Sequence, residues 1–358
     1  MSIQAILEKA VLAPSGDNCQ PWRLDVTDNR ISIFNLPERD TSLFNYRQRA
    51  SLVGLGALIE NIMIASAALG YTANLTFFPD KTRPDFVAEV SLEKSDVQSD
   101  PLYPYISKRS TNRERYKHLP LKDEQRSAIL SALGVLGFGT VRLLEGGQKD
   151  AMAKTVSLND RIVFENQRLH SFLFKQIRWT EKEARETGDG LYIKTLGVSG
   201  SEAVGFRFLR NWPLVEVMNK FGLSLFIAKK AEKLCRSSSA LGIITISDNS
   251  DEGFLMGGRL VQRVWLEATR TGLSFQPITG ITFLIQRVLA GETEGLSGRY
   301  VEIIRDIRKK ITVAFGLKDE TIIMLFRVGP SDPPGATSLR LPFEKTVFFV
   351  SSENRESS

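Results

Sequence analysis

Residues 13–22 read Ala-Pro-Ser-Gly-Asp-Asn-Cys-Gln-Pro-Trp. This stretch separates two elements of different period. Before it, Ile3, Ile6, Leu7, Ala10 and Val11 fall on one helical face, with Ser2 as a cap, and Pro14 and Gly16 stop the helix. After it, residues 23–34 alternate apolar and polar on either side of Asp28-Asn29, the pattern of a hairpin. The turn between them exposes a Ser hydroxyl, an Asn amide and backbone N–H groups, all hydrogen-bonding groups.

Working outward, residues 50–69 form a helix that is apolar on most sides and therefore buried, ended by Gly70. Strand-like runs follow at 72–78 and 86–92, then a polar linker, SLEKSDVQSDP. Beyond Tyr105 the pattern predicts a helix at 122–133 and a strand at 141–144. Residues 150–236 read as mostly helical and charged; a strand at 241–246, a long helix at 253–271 and strands at 322–328 and 346–351 complete the chain, with a mobile tail. Shifted by 202 positions, 50–71 overlays 252–273 without a gap: Gly56 meets Gly258, Leu58 meets Leu260, Glu60 meets Gln262 and Gly70 meets Gly272. That match is the sign of an internal duplication, although two buried helices ending in Gly share much of it.

Composition narrows the function classes. The 358 residues carry 47 Lys+Arg against 41 Asp+Glu and are 42% hydrophobic, which excludes a disordered chain. Two cysteines, Cys19 and Cys235, make no disulfide framework, and two histidines, His118 and His170, make no His-rich metal site. The start lacks the layout of a signal peptide, so a cytoplasmic location is expected. The net charge of +6 is mild, and the aromatics do not interleave with the basic residues. No uninterrupted apolar stretch reaches the ~18 residues needed to span a bilayer. No nucleic acid, no membrane and no metal are therefore expected as partners, and the basic face of Lys229, Lys230, Lys233 and Arg236 reads as solvated. The glycines at 134, 137 and 139 have the wrong spacing for a dinucleotide fingerprint.

Residues 13–22 resemble the A-P-S-x-x-N-x-Q-P-W signature of the nitroreductase family of flavoproteins. Arg109-Ser-Thr-Asn-Arg113 looks like the family's R-x-[ST]-x-[RK] element, with two guanidiniums flanking a hydroxyl on an extended segment. Pro277-Ile278-Thr279-Gly280 resembles its P-I-E-G loop, with Thr279 in place of the usual acid, and Arg340-Leu-Pro resembles its C-terminal arginine, with Ser338 in place of a usual Lys. The duplicated single-chain, Acg-type nitroreductases look most similar, since they share a Thr-Asn-Arg segment and a charged helical insertion.

The resemblance implies an α+β, nitroreductase-like fold, an internally duplicated pseudo-dimer with mainly antiparallel sheets flanked by helices. Its halves would be residues 1–100 and 101–358, the second carrying a helical insertion at about 146–238. It implies FMN as cofactor. Arg109, Ser110, Thr111, Arg113 and Arg340 would hold the phosphate and pyrimidine; Pro14, Ser15, Gly16 and Asn18 the ribityl chain and ring edge; and Pro277, Ile278, Thr279 and Gly280 the region of flavin N5. Only one half offers the arginines and only the other the Ser/Asn turn, so one complete site per chain is expected. The implied activity is hydride transfer from NAD(P)H through flavin N5 to a nitro, quinone or similar acceptor, in a monomer. No catalytic side chain is assigned, because the flavin carries the chemistry. The alternative is an FMN store with residues 180–236 as a lid.

Overall fold

The structure, a computed structural model, describes residues 3–198 and 200–350. The expected Ser2 cap and the tail from 351 lie outside them. In the first half, α1 (Ile3–Ala10) leads through the 13–22 turn into the hairpin β1 (Trp22–Thr27) and β2 (Arg30–Asn35). The buried helix α2 (Arg49–Ala68) follows, then β3 (Tyr71–Phe77) and β4 (Phe86–Lys94). In the second half, α3 (Asp123–Ser131) leads into β5 (Thr140–Glu145).

The insertion then runs through α4 (Gly146–Val156), α5 (Leu158–Glu165), α6 (Gln167–Gln176), the short β6 (Ile177–Arg178), α7 (Glu181–Thr187) and β7 (Leu191–Tyr192). It ends with α8 (Gly200–Phe208), α9 (Trp212–Lys220) and α10 (Leu223–Ser237). The chain resumes with β8 (Ala240–Ile246), α11 (Asp251–Arg270), β9 (Ser274–Ile278), α12 (Thr279–Leu289), α13 (Gly298–Phe315), β10 (Thr321–Gly329) and β11 (Val347–Phe349).

The two sheets repeat one topology. The first has the order β11-β1-β2-β4-β3 and the second β5-β8-β10-β9. If β1, β2, α2, β3 and β4 are matched with β5, β8, α11, β9 and β10, strand order and helix position agree, and every matched pairing is antiparallel. The fold is α+β and internally duplicated. The extra strand β11 comes from the end of the second half and pairs in parallel with β1, register Leu24 to Val347. It ties the two halves together.

The copies meet along α2 and α11, and the contact is isologous. A Cβ on Gly56 would lie 2.0 Å from the Leu255 carbonyl oxygen; one on Gly258 would lie 2.1 Å from that of Val53. Under the 202-residue shift, Val53 is Leu255 and Gly56 is Gly258, so each contact is the other's mate, as at a two-fold axis. Only glycine permits backbones this close. Further along, Arg263 reaches Glu60 at 2.6 Å and Gln262 donates to Asn61 at 2.6 Å, and these pairs are again mates. The long apolar segment Tyr46–Ala68, of membrane-spanning length, is 89% buried at this junction.

One core unites both sheets with α2 and α11; a second joins the insertion to α12, α13 and the outer face of β8 and β10. Helices α12 and α13 went unread in the sequence. Their finding changes Pro277–Gly280: the expected loop is the last two residues of β9 and the first turn of α12. Pro277 stays in register with Phe326, and Thr279 opens the helix.

Candidate functional site

The turn after α1 is built from left-handed residues. Asp17, Asn18 and Gln20 have φ of 45°, 58° and 50°. Asn and Asp tolerate this region better than most residues, and buried bonds hold the loop in it. The Gln20 N–H donates to Ser15 Oγ at 2.9 Å, and the Gln20 amide spans the Gly188 carbonyl and the Leu341 N–H. Asn18 donates to the Leu339 carbonyl at 3.0 Å and accepts from Arg340 at 3.0 Å. Its amide is thus spent on placing Arg340.

The 109–113 segment is extended as expected. Thr111 bridges Phe275 in parallel with β9, and Asn112 donates to Ser274 Oγ and the Asp332 carbonyl. Arg109 and Arg113 thereby face the turn from the other half. Arg109 donates to the Leu12 carbonyl at 2.9 Å and lies 4.4 Å over the Trp265 ring. Arg340 donates to the carbonyls of Val11, Leu12 and Ala13, and Arg113 to that of Thr195.

Among the described residues no carboxylate forms an ion pair with any of these three arginines. Burial lowers all three from the ordinary guanidinium value, Arg109 to about 9 with Arg340 adding repulsion, and Arg340 to about 10. Arg109 Nε is buried with no hydrogen-bond partner. Three cations without an ion-pair partner, Arg109 buried with an idle donor and Arg113 and Arg340 half-buried, with Asp17 as the one acid near Arg113 among the described residues, form a site for an anion.

Two adjoining cavities extend from this cluster. The smaller, about 80 Å³, is lined by Pro14, Ser15, Asn18, Arg109, Ser110, Thr111, Arg113 and Arg340, with Asp17, Leu191, Thr337 and Ser338. The larger, about 260 Å³, shares Pro14, Ser15, Asp17, Thr111 and Arg113 and adds Gly16, Pro277 and Thr279. Its walls are mostly apolar: Val53 and Ala57 of α2, Trp265 of α11, and Val163, Phe172 and Leu173 of the insertion. Of the thirteen expected site residues, Ile278 and Gly280 line neither cavity. A Cβ on Gly280 would lie 2.6 Å from Asn159 Oδ1, so that glycine seats the insertion against the α12 N-terminus.

The sequence reading missed the carboxyls. Asp17 was only a spacer in the motif, yet it lines both cavities; Asp40 and Asp160 line the larger one. Burial raises Asp17 to about 6, with the Asp40 carboxylate adding to the rise and Arg113 opposing it. Burial alone raises Asp160 to about 6, and Asp40 is also raised. Asp160 comes from α5, so only the folded insertion brings it near Thr279. Both thiols are buried and raised, Cys235 to about 12, and are chemically quiet.

No family model matches the chain. A candidate NAD(P)H nitroreductase of Mycobacterium tuberculosis, acg, is 26% identical over 287 residues, covering 79% of this chain and 81% of that protein. With the motifs gathered at one site, the chain is similar to the nitroreductase family over most of its length. An uncharacterized M. tuberculosis protein, MT1398, is 24% identical over 343 residues, 94% of this chain. The chain spans about half, 47%, of that longer relative. Among solved structures, the FMN-dependent nitroreductase NfnB of Mycobacterium smegmatis in complex with NADPH aligns with 69% of this chain and 96% of its own chain, at TM-score 0.40 and 14% identity.

Proposed function

We propose that this chain is an FMN-dependent oxidoreductase that moves hydride from NAD(P)H to a small nitro, quinone or similar acceptor. The observation that carries the reading is the arginine trio, none of it in an ion pair with a described carboxylate, facing the Ser/Asn turn at the mouth of a mostly apolar cavity. The name of the acg relative, an NAD(P)H nitroreductase, supports it.

In this reading Arg109, Arg113 and Arg340, with Ser110 and Thr111, hold the phosphate. Pro14, Ser15 and Gly16 line the ribityl side, and Asn18 acts by fixing Arg340. Pro277, Ile278, Thr279 and Gly280 place the start of α12 at the ring, where helix N–H groups favour negative charge. When bound, FMN supplies a ring nitrogen, N5, that accepts and returns hydride. The chain's own work is orientation and exclusion of water: Trp265, Val53, Ala57 and Val163 wall the cavity. Asp160 brings a carboxyl that keeps its proton until about pH 6, at a site where Thr279 offers none.

The halves divide at residues 1–100 and 101–358, and the chain acts as a monomer, because α2 and α11 already supply the dimer-like contact. Two free thiols fit a reducing, cytoplasmic location. The test is stoichiometry and colour together. FMN released by denaturation should reach at most one per chain, and NAD(P)H without oxygen should bleach it, with a quinone restoring it. A ratio near two overturns the single-site reading.

One observation favours the alternative, a sequestered flavin. Residues 188–197 press on the arginines: a Cβ on Gly188 would lie 2.7 Å from the Arg340 carbonyl oxygen, and one on Gly197 would lie 2.9 Å from that of Arg113. Dithionite reducing the flavin far faster than either nicotinamide supports the store.

A further inference from the structure

Helices α8, α9 and α10 are apolar on two sides. Their inner side packs on the second core through Phe206, Leu209, Trp212 and Ile227, with Val215 fully buried. That accounts for their docking on the protein. Their outer side carries a second apolar set: Phe208, Phe221 and Phe226 are 66%, 87% and 68% exposed. Val204, Leu214, Val217 and Leu225 join them, so seven of the fifteen exposed large hydrophobic side chains of the described residues fall within 204–226. Such a concentration within one segment of the chain marks a surface that meets something.

Charge identifies the occupant. Residues 200–237 hold seven basic against three acidic side chains, a surplus of four within a whole-chain net charge of +6. The acids are partly consumed: Glu202 pairs with Lys230, and Glu232 is buried between Lys229 and Arg236. Arg207, Arg210, Lys220 and Lys233 are exposed in the same segment and make no ion pair with a carboxylate of the described residues. Arg207 and Arg210 flank Val204 and Phe208 around one surface recess.

A second copy of this face would set those cations against themselves, which disfavours self-association. Aromatic and aliphatic side chains bordered by Lys and Arg instead match the boundary between acyl chains and acidic headgroups. We propose that the outer face of α8–α10 docks this protein on an anionic lipid bilayer, with Phe208, Phe221 and Phe226 entering the headgroup boundary. The sequence reading expected no membrane partner, because it saw the basic residues of α10 and not the apolar side chains between them. The proposal does not depend on the flavin reading.

The test is co-sedimentation of the full chain with vesicles. Binding is expected to phosphatidylcholine vesicles containing phosphatidylglycerol, much weaker binding to phosphatidylcholine alone, and loss of binding in high salt. The triple variant F208S/F221S/F226S and, separately, R210Q/K220Q/K233Q should each bind about tenfold or more weakly. All six side chains are exposed, so far-UV dichroism and thermal melts should match the parent. No binding to the anionic vesicles, or equal binding by parent and both variants, overturns the proposal. A dimer seen by light scattering and abolished by the Phe variant, without vesicle binding, overturns it in favour of a second copy.

Discussion

Along α2 the larger cavity is faced by Ala50, Val53, Gly54 and Ala57, a stripe at i, i+3, i+4 and i+7. At the matched positions of α11 stand Glu252, Leu255, Met256 and Arg259. The loops differ in step. Pro14 and Ser15 rest on Gly54, where a Cβ would make only ordinary contact at 3.4 Å. In the other copy Gly139 is pressed on α11, and a Cβ there would lie 2.6 Å from Leu260. Arg259, where α2 has Ala57, crosses to Glu60 at 2.8 Å. Small side chains open one copy and large ones close the other. Among the described residues the two copies thus diverge along the matched helices, small side chains lining the larger cavity in one and larger ones standing in their places in the other.

The largest expected effect fills the open pocket in the image of the closed one. Gly54→Met should remove flavin from the purified protein while leaving dichroism unchanged; its melt should stay near the parent's, since Met also gains about 1 kcal/mol of helix propensity over Gly. The reverse change, Met256→Gly, should create no second site, because the arginine beside it, Arg259, is already paired with Glu60. Flavin retained by G54M, or a second flavin in M256G, breaks the comparison.

Much of this asymmetry was legible before any coordinates. The 202-residue register named both helices, and reading its unlike pairs, Gly54 with Met256 and Ala57 with Arg259, would have shown which copy was open. The motifs at 13–22, 109–113 and 340 do converge on one pair of adjoining cavities. What stayed hidden depends on long-range packing. Asp160, Phe172 and Leu173 come from an insertion without a counterpart in the first half, and no local pattern says that α5 and α6 turn back over Thr279. The α12 N-terminus was hidden because Pro277–Gly280 resembled a loop, whereas Pro277 and Ile278 close β9 and Thr279 opens α12. The exposed face of α8–α10 was hidden because apolar side chains on both sides of a short helix look alike until the core has chosen one.

A second contrast lies on the pseudo-two-fold itself. Glu60 accepts from Arg259 and Arg263, the latter 6% exposed, while the mate pair is a neutral bond between Gln262 and Asn61. Removing Glu60 leaves Arg259 without a carboxylate among the described residues and Arg263 with only Asp100. Glu60→Ala should cost about 3–5 kcal/mol in urea unfolding. Gln262→Ala strands only a neutral acceptor and should cost roughly 1–3 kcal/mol. Equal costs would mean the two mates have not diverged in energy.

A smaller effect tests whether the arginines read phosphate. Arg113 makes one bond to a carbonyl, so it is cleaner to remove than Arg340, which holds several. Arg113→Ala should weaken FMN about tenfold or more while leaving riboflavin affinity nearly unchanged, as expected for one charged hydrogen bond to phosphate. Titrations in which both flavins weaken alike would make Arg113 a structural residue.

The smallest effect concerns acid groups that the closed copy lacks. Asp160 is raised by burial to about 6, against 3.8 for an ordinary Asp. In the unfolded chain it ionises near the ordinary value, so between these two pH values folding must keep it protonated. A group raised in the folded state contributes stability that is complete below the unfolded pKa and is lost as pH rises through the folded one. Above about pH 6 the native protein therefore carries a poorly solvated carboxylate in its cavity. Asp160→Asn removes that penalty and keeps the side-chain volume. The melting temperature of D160N should exceed the parent's by a few degrees at pH 7.5, and the difference should shrink as pH falls and vanish once the pH lies below the unfolded value of 3.8, where the Asp is neutral in both states. Asp17→Asn should follow the same sign with a different size, because Asp40 adds to its rise and Arg113 opposes it. A gain for D160N that does not change with pH would show that the substitution acts through packing, and that the open cavity does not hold Asp160 in its neutral form.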